Sequence, residues 1–298
     1  MIGGGYENVY SNPIINDVIM PLQHLIIVGS LCVNGLILTL ITRQQGKAVG
    51  TYKYLLSCFA INDIVYTILH YVSFPVPETF PNIFILRGHG PTFSKFWLSM
   101  YMGNYATGFP LLVAHFLYRL IALKKPRLLN HFFKLLPLIL AVTLLCGASW
   151  FTSSFVFMEQ DPESTAFMQP IFNGTIYSPV LHTPERGPLY LVCVYWTQGT
   201  FKGGRIKNFI ALALLFVVMI SAYTGKYEKF GYDATAEATV QTVVPLITAY
   251  FPVGICIFAP LFGFAWPPLA FIIPNICCIH PLFDGLVVML TVSEYRRV

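Results

Sequence analysis

Two acidic side chains lie within long apolar segments of the sequence, Asp63 and Asp284. If these segments are membrane-spanning helices, the inner end is the one that faces the cytoplasm. At about 1.5 Å per helical residue, both acids lie roughly 10–15 Å from the inner end of their segments, and Asn34 lies at a similar depth in the first segment. Two neighbouring carboxylates repel when both are ionised, so they would share a proton or hold a cation. We therefore expect one polar layer across three neighbouring helices. It would act either as a switch that repacks or as hydrogen bonds that fix the helix packing.

A second pair of opposite charges lies near the inner ends of two other apolar segments. Arg119 closes one of them, and Glu237 lies just before another. An ion pair between Arg119 and Glu237 would hold the two segments together at rest, and its opening would expose a groove for a partner helix. The alternative is that Arg119 is an ordinary basic anchor on the inner side of a membrane.

Several aromatic and amide side chains could line a small-molecule pocket in the outer half of the helices, because pockets form between the helices of bundles. They belong to the third, sixth and seventh apolar segments: Tyr101, Asn104, Tyr105, Phe258, Phe271 and Asn275. At that depth these segments contain no Asp, Glu, Lys or Arg, so we expect a neutral or weakly polar ligand. For each residue taken singly, aromatic packing between helices is the alternative interpretation.

The segments that carry these residues follow from the distribution of charge. Among 298 residues, 56% are apolar and only 10% are charged, whereas soluble domains carry about 25% charged residues. This composition argues against soluble, disordered and nucleic-acid-binding classes, and it indicates a protein embedded in membrane lipid. Apolar windows of about 20 residues predict membrane-spanning helices. Seven such windows occur, at about 18–42, 54–74, 96–121, 135–155, 206–223, 240–262 and 266–291.

The basic residues orient the predicted helices. Most of the 18 Lys and Arg residues fall in connections that are cytoplasmic if the N-terminus lies outside and the C-terminus inside. We therefore predict an all-α membrane protein in which residues 1–298 form a single seven-helix transmembrane domain with that orientation. Residues 156–205 would form a long extracellular loop, with an N-glycosylation pattern at Asn173. We interpret the apolar run 189–196 as loop structure outside the bilayer.

Short motifs in and around the predicted helices suggest a family. In chain order they are Thr51–Tyr66 entering the second helix, His115-Phe-Leu-Tyr-Arg119 closing the third, Gly187–Trp196 before the fifth, Gln241-Thr-Val-Val-Pro245 opening the sixth, His280-Pro-Leu-Phe-Asp284 in the seventh, and Tyr295-Arg296 after it. This set and order resemble the nematode serpentine chemoreceptors, closest to the Str type. The resemblance covers nearly the whole chain.

The resemblance implies a G-protein-coupled receptor of chemosensory neurons, with a small-molecule ligand on the outer side and a heterotrimeric G protein on the inner side. It also implies a multi-pass protein of the plasma membrane at the ciliated endings of these neurons. Rhodopsin-like receptors place an acid just before the inner arginine, whereas Tyr118 precedes Arg119 here. This departure is why Glu237 is the expected partner.

Other functions would require other residues. A transporter or channel for a small solute is the main alternative, and it would line a continuous path with polar groups instead of forming one layer. A light receptor needs a lysine in the seventh helix to bind retinal, and residues 266–291 contain none. The sequence has no HExxH or GxSxG motif, so we expect no enzyme activity, no metal and no other cofactor.

Overall fold

The structure, a computed structural model, describes residues 20–43, 52–88, 94–158, 190–195, 251–266 and 269–291. Most of these residues are helical, as expected for apolar segments whose backbone must satisfy its own hydrogen bonds. The α-helices are α1 (Met20–Arg43), α2 (Tyr52–Ser73), α3 (Lys95–Lys124), α4 (Leu129–Lys134), α5 (Leu136–Phe157), α6 (Phe251–Phe258) and α7 (Leu269–Thr291). The other elements are 3₁₀ helices at Pro126–Leu128 and Ala259–Phe262, and strands β1 (Pro75–Phe80), β2 (Ile83–Gly88) and β3 (Tyr190–Val194).

The described helices agree closely with the predicted spans. The first four predicted spans correspond to α1, α2, α3 and α5, and the seventh corresponds to α7. Of these helices, α1, α2, α5 and α7 are long and apolar enough to cross a bilayer. The predicted span 206–223 lies outside the described residues, and the span 240–262 is described only from residue 251. The number of spans and the orientation of the termini therefore stay predictions.

Helix α6 ends where the sequence stops supporting an α-helix. Pro260 has no N–H to donate, and the chain tightens into the 3₁₀ helix Ala259–Phe262. Gly263 then adopts a φ of 77°, a left-handed conformation that glycine accepts without steric cost, and its N–H caps the turn. The break leaves the Pro260 carbonyl accessible, and it accepts the Asn82 N–H at 3.1 Å.

A three-stranded antiparallel sheet in the order β1–β2–β3 covers one end of the helices. Strands β1 and β2 form a hairpin whose turn contains Asn82 at a φ of 68°, a left-handed conformation that asparagine tolerates. Strand β3 pairs with β2, with Cys193 opposite Phe84. The prediction of an all-α chain was therefore incomplete, and the apolar run 189–196 contains a strand.

The sheet escaped the sequence prediction for two physical reasons. Residues along β1 and β2 are buried on both faces, so they do not alternate between apolar and polar as a half-exposed strand would. The pairing of β2 with β3 also joins parts of the chain that are far apart in sequence, and hydrophobic periodicity carries no information about such pairs.

Helix α3 lies between α2 and α5, and it packs most extensively against α5. Two glycines let α3 and α5 approach closely. A Cβ atom added to Gly147 would lie 2.6 Å from Thr107 Cγ2, and one added to Gly103 would lie 2.9 Å from the Gly147 carbonyl oxygen. Small residues at helix contacts are typical of membrane bundles. The sheet, α3, α5, α6 and α7 then share one core cluster that includes Tyr101 and Trp150.

Candidate functional site

A small cavity lies beneath the sheet, and we call it the sheet cavity. Its volume is about 30 Å³, which leaves room for about one or two water molecules. The described side chains that line it are all uncharged. They are Pro75, Pro77, Phe84 and Leu86 from the strands, Tyr101, Met102 and Tyr105 from α3, Val253, Cys256 and Ile257 from α6, and Ile273, Pro274 and Cys277 from α7.

The structure brings some of the predicted pocket residues to this cavity. Tyr101 and Tyr105 line it directly. Asn104 directly precedes Tyr105 on α3, and its Nδ2 atom is buried with no hydrogen-bond partner in the described part of the chain. Phe258 packs against the same core cluster. Phe271 lies on α7, but its side chain falls outside the described part.

The sequence predicted that Asn275 would face the pocket, but it does not line the sheet cavity. Its Oδ1 atom accepts a hydrogen bond from Gln23 Nε2 at 3.0 Å, which joins α7 to α1. The reason is helical rotation, since successive residues turn by about 100°. Ile273 and Cys277 lie four residues apart on the cavity face, and Asn275 lies between them on another face.

The strands contribute cavity-lining residues that the sequence did not predict. These residues come from the connection between α2 and α3, for which the sequence predicted no helix or strand. They are Pro75, Pro77, Phe84 and Leu86. The available signal was weak. It consisted of two short, mainly apolar runs on either side of Pro81 and Asn82, a combination that is typical of a hairpin.

Tyr195 fastens the sheet to α6. Its hydroxyl donates to the Ile257 carbonyl at 2.5 Å, and its N–H donates to the Asn82 carbonyl at 2.9 Å. Burial raises the pKa of the Tyr195 hydroxyl well above its usual value, so the hydroxyl stays protonated and remains a donor. Because Asn82 in turn donates to Pro260, the hairpin turn, the end of β3 and the end of α6 are tied together.

The residues of the predicted polar layer meet at the contact of α1, α2 and α7. Asn34 is buried, and its Nδ2 atom donates to the carbonyls of Ser30 at 3.1 Å and Pro281 at 3.0 Å. Asp63 is 5% exposed. Its carboxylate lies close enough to Asp284 for the two charges to repel when both are ionised. The structure thus brings Asn34, Asp63 and Asp284 together, as their equal depths suggested.

The packing around this layer is tight. The Ser30 and Thr67 hydroxyls lie 2.9 Å apart, which links α1 to α2. A Cβ atom added to Gly285 on α7 would lie 2.7 Å from Val33 Cγ1 and 3.2 Å from Asn34 Oδ1. A rearrangement of α7 against α1 would therefore have to break specific contacts instead of sliding over a loose surface.

The inner end of α3 is held by aromatic contacts. The Tyr118 ring stacks on the Tyr52 ring of α2, with centroids 4.4 Å apart, and the Tyr52 hydroxyl is hydrogen-bonded to His115 Nε2. The next residue, Arg119, lies on α3, but its side chain falls outside the described part. Glu237 lies outside the described residues as well, so the predicted Arg119–Glu237 pair stays a prediction.

Two further expectations concern modification and metals. Asn173, the predicted glycosylation site, lies outside the described residues. In the described ranges, no group of three or more His, Cys, Asp or Glu side chains is placed to hold a metal ion. Cys277 and Cys278 are free and buried, and the Cys278 thiol donates to the Gln23 carbonyl at 3.7 Å. A buried free cysteine usually acts as a small packing residue.

Comparison with known proteins gives the chain a family. The family described as serpentine type 7TM GPCR chemoreceptor Str matches residues 20–225 and 238–298. The chain is 26% identical to serpentine receptor class r-10 of Caenorhabditis briggsae, over 89% of this chain and 84% of that protein. The Caenorhabditis elegans protein of the same name is also 26% identical, over 89% of this chain and 85% of its own length.

A third relative carries the receptor class in its name. The G-protein coupled receptor str-33 of Caenorhabditis elegans is 20% identical, over 90% of this chain and 85% of that protein. These relatives are named as receptors, and the matching family is a receptor family that spans most of the chain. The apolar helices of the structure agree with a multi-pass membrane protein. The chain therefore belongs to the serpentine Str family of seven-transmembrane G-protein-coupled chemoreceptors.

Proposed function

We propose that this chain is a chemosensory receptor that binds a small uncharged molecule in the sheet cavity and activates a heterotrimeric G protein on the opposite side of the membrane. We further propose that it acts in the plasma membrane, at the cilia of sensory neurons. The observation that carries the proposal is the cavity between α3, α6, α7 and the sheet, whose described lining residues are all uncharged. Ligand pockets form between the helices of bundles and are mostly apolar, with a few polar groups.

The lining selects against ions. A charged ligand that entered the sheet cavity would lose its hydration without meeting an opposite charge among the described lining residues, which is costly. A neutral molecule would lose less and would bury apolar surface against Met102, Ile257 and Ile273. Because the cavity holds only about 30 Å³, a ligand larger than a few atoms has to move its walls apart, and that movement is the proposed signal.

Helix α7 connects the cavity to the polar layer. Cys277 lines the cavity, and Asp284 lies seven positions further along α7, which is about 10 Å of helix. We propose that displacement of α7 repacks Asp63 and Asp284 against Asn34, so that the layer acts as a switch. At the inner side, an Arg119–Glu237 contact that opens would expose the groove for the G protein.

Filling the cavity tests the proposal. In Ile273→Phe the larger ring occupies space beneath the sheet, because Ile273 is 2% exposed and lines the cavity. Ile272→Phe is the matched control, since the neighbouring side chain is 42% exposed. Both variants are expressed in cells that report calcium or cyclic nucleotide, and they are screened with small uncharged volatile compounds after surface expression has been measured.

We expect the wild-type receptor and Ile272→Phe to respond to the same compounds, whereas Ile273→Phe requires at least about tenfold more ligand. Equal responses from all three at equal surface expression would refute binding in the sheet cavity. A response that persists as an ion current in liposomes without G protein would identify a channel or transporter for a small solute instead.

A further inference from the structure

His70 is a buried polar side chain that the proposed function does not yet use. It is 1% exposed, and neither ring nitrogen has a hydrogen-bond partner within the described part of the chain. An imidazole that is neutral carries one donor and one acceptor. Buried polar groups are nearly always paired, because leaving one unpaired costs free energy. Within the described part of the chain, His70 therefore has a donor and an acceptor that are not used.

The rings around His70 connect it to the sheet cavity. Its ring centroid lies 5.6 Å from that of Tyr101 and 6.2 Å from that of Tyr66. Tyr101 also lines the cavity, so His70 stands directly behind one side chain of the cavity wall. Strand β1, which lies over the cavity, begins five residues after His70 at Pro75, and Pro75 also lines the cavity.

Two hydroxyls lie beside this imidazole. The Tyr66 and Tyr101 hydroxyl oxygens are 2.5 Å apart, and both rings are buried. One hydroxyl donates to the other, which leaves the second proton for another acceptor. The Tyr66 hydroxyl is also within hydrogen-bonding reach of the Cys277 thiol, which lines the cavity. The polar groups of α2, α3 and α7 thus collect on one side of an otherwise apolar space.

We propose that His70, Tyr66 and Tyr101 form a polar subsite of the ligand-binding site, which takes an uncharged hydroxyl group of the ligand. This inference rests on the proposed function. A hydroxyl suits the site because it can donate to the bare ring nitrogen or accept from the ring N–H, whichever tautomer is present. A carbonyl oxygen can only accept. The ligand's apolar part then lies in the sheet cavity, and the Tyr101 ring turns aside to join the two spaces.

The test compares His70→Phe, which keeps a ring in the aromatic cluster and removes both nitrogens, with His70→Gln, which keeps a donor and an acceptor. His24→Phe is the matched control, because His24 also lies beside Phe74, with ring centroids 6.0 Å apart, but is exposed. The probes are straight-chain alcohols of four to six carbons, the matching 2-alkanones and the matching alkanes. Each probe is titrated against the purified full-length receptor while its thermal stability and G-protein nucleotide exchange are measured.

We expect alcohols to stabilise the wild-type receptor and His24→Phe at lower concentrations than ketones, and alkanes to stabilise them least. His70→Phe should weaken alcohol binding by about tenfold, the usual effect of one lost hydrogen bond, and leave alkane binding unchanged. His70→Gln should recover part of the loss. Equal alcohol binding by the wild type and His70→Phe would overturn the subsite.

Two further outcomes separate this subsite from the proposed function. If no alcohol binds but other compounds drive nucleotide exchange, the subsite is refuted and the receptor function stands. If alcohols bind through His70 but no compound drives exchange, the subsite stands as a binding site and the proposed signalling role is refuted.

Discussion

Gly147 on α5 offers the sharpest test of how the helices pack. A Cβ atom at this position would lie 2.6 Å from Thr107 Cγ2, whereas carbon atoms in contact prefer about 3.5–4.0 Å. The variant Gly147→Ala therefore requires α3 and α5 to separate by roughly 1 Å. That shift would act on Thr107, whose hydroxyl lies 2.5 Å from Asn62 Oδ1 and 2.6 Å from the Asn104 carbonyl oxygen.

A second glycine variant separates the free-energy cost of overpacking at Gly147 from the effect of alanine on the helix. Overpacking a tight contact costs about 1–3 kcal/mol, but alanine also stabilises a helix by up to about 1 kcal/mol relative to glycine. At Gly35 on α1 an added Cβ meets nothing within 4 Å. Gly35→Ala therefore gains the helix stabilisation of alanine without any cost of overpacking. The difference between the two variants is therefore expected to be about 1–3 kcal/mol, which corresponds to roughly 2–10 °C in Tm.

The assay is thermal unfolding of purified receptor in detergent or nanodiscs. Gly35→Ala should match or exceed the wild-type Tm, and Gly147→Ala should fall below it. Adding Thr107→Ser to Gly147→Ala removes the clashing methyl group and keeps the hydroxyl, so the pair should recover much of the lost stability and show strong non-additivity. Equal Tm values for Gly147→Ala and Gly35→Ala would refute the close approach of α3 and α5.

Two other variants probe the cavity roof and the polar layer. Tyr195→Phe removes the hydroxyl that donates to Ile257 and should cost about 1 kcal/mol of stability, or roughly 2–4 °C in Tm. Tyr71→Phe is the control, because this side chain is 43% exposed and its change should leave Tm unchanged. An equal loss of Tm in both variants would show that the hydrogen bond to α6 is unimportant. Asp63→Asn replaces one of the two neighbouring carboxyl groups by an amide, which can neither ionise nor share a proton with Asp284. It should change the potency or the maximal response in a signalling assay, and an unaltered response at intact surface expression would contradict a switch in the polar layer.

The sequence was informative wherever the solvent alone decides the structure. Apolar length located α1, α2, α3 and α5 closely, because a backbone in lipid has to form helices. The sequence also predicted that Asn34, Asp63 and Asp284 lie in one layer, because residue count sets the depth of each residue along neighbouring helices. The three residues do lie at the contact of α1, α2 and α7. These predictions needed no knowledge of which helix face meets which neighbour.

Side-chain direction and distant pairing were harder to predict. Asn275 has the right depth for the cavity but turns toward Gln23 on α1, and the rotation of a helix about its axis is fixed only by tertiary packing. The hairpin at 75–88 and its pairing with β3 depend on contacts such as Phe84 with Cys193. His70 is one of seven histidines in the sequence. What distinguishes it is that its ring nitrogens have no partner in the described part of the chain and that Tyr101 lies beside it, and both features depend on tertiary packing.

The most direct test of the receptor function uses purified full-length protein in lipid nanodiscs together with a heterotrimeric G protein. The measurement is guanine-nucleotide exchange with and without compounds from a panel of small uncharged volatiles, for the wild type and for Ile273→Phe. We predict that at least one compound accelerates exchange by the wild type, and that Ile273→Phe needs at least about tenfold more of it. Ligand binding without any exchange, or exchange that Ile273→Phe leaves unaltered, would contradict a G-protein-coupled receptor that senses its ligand beneath the sheet.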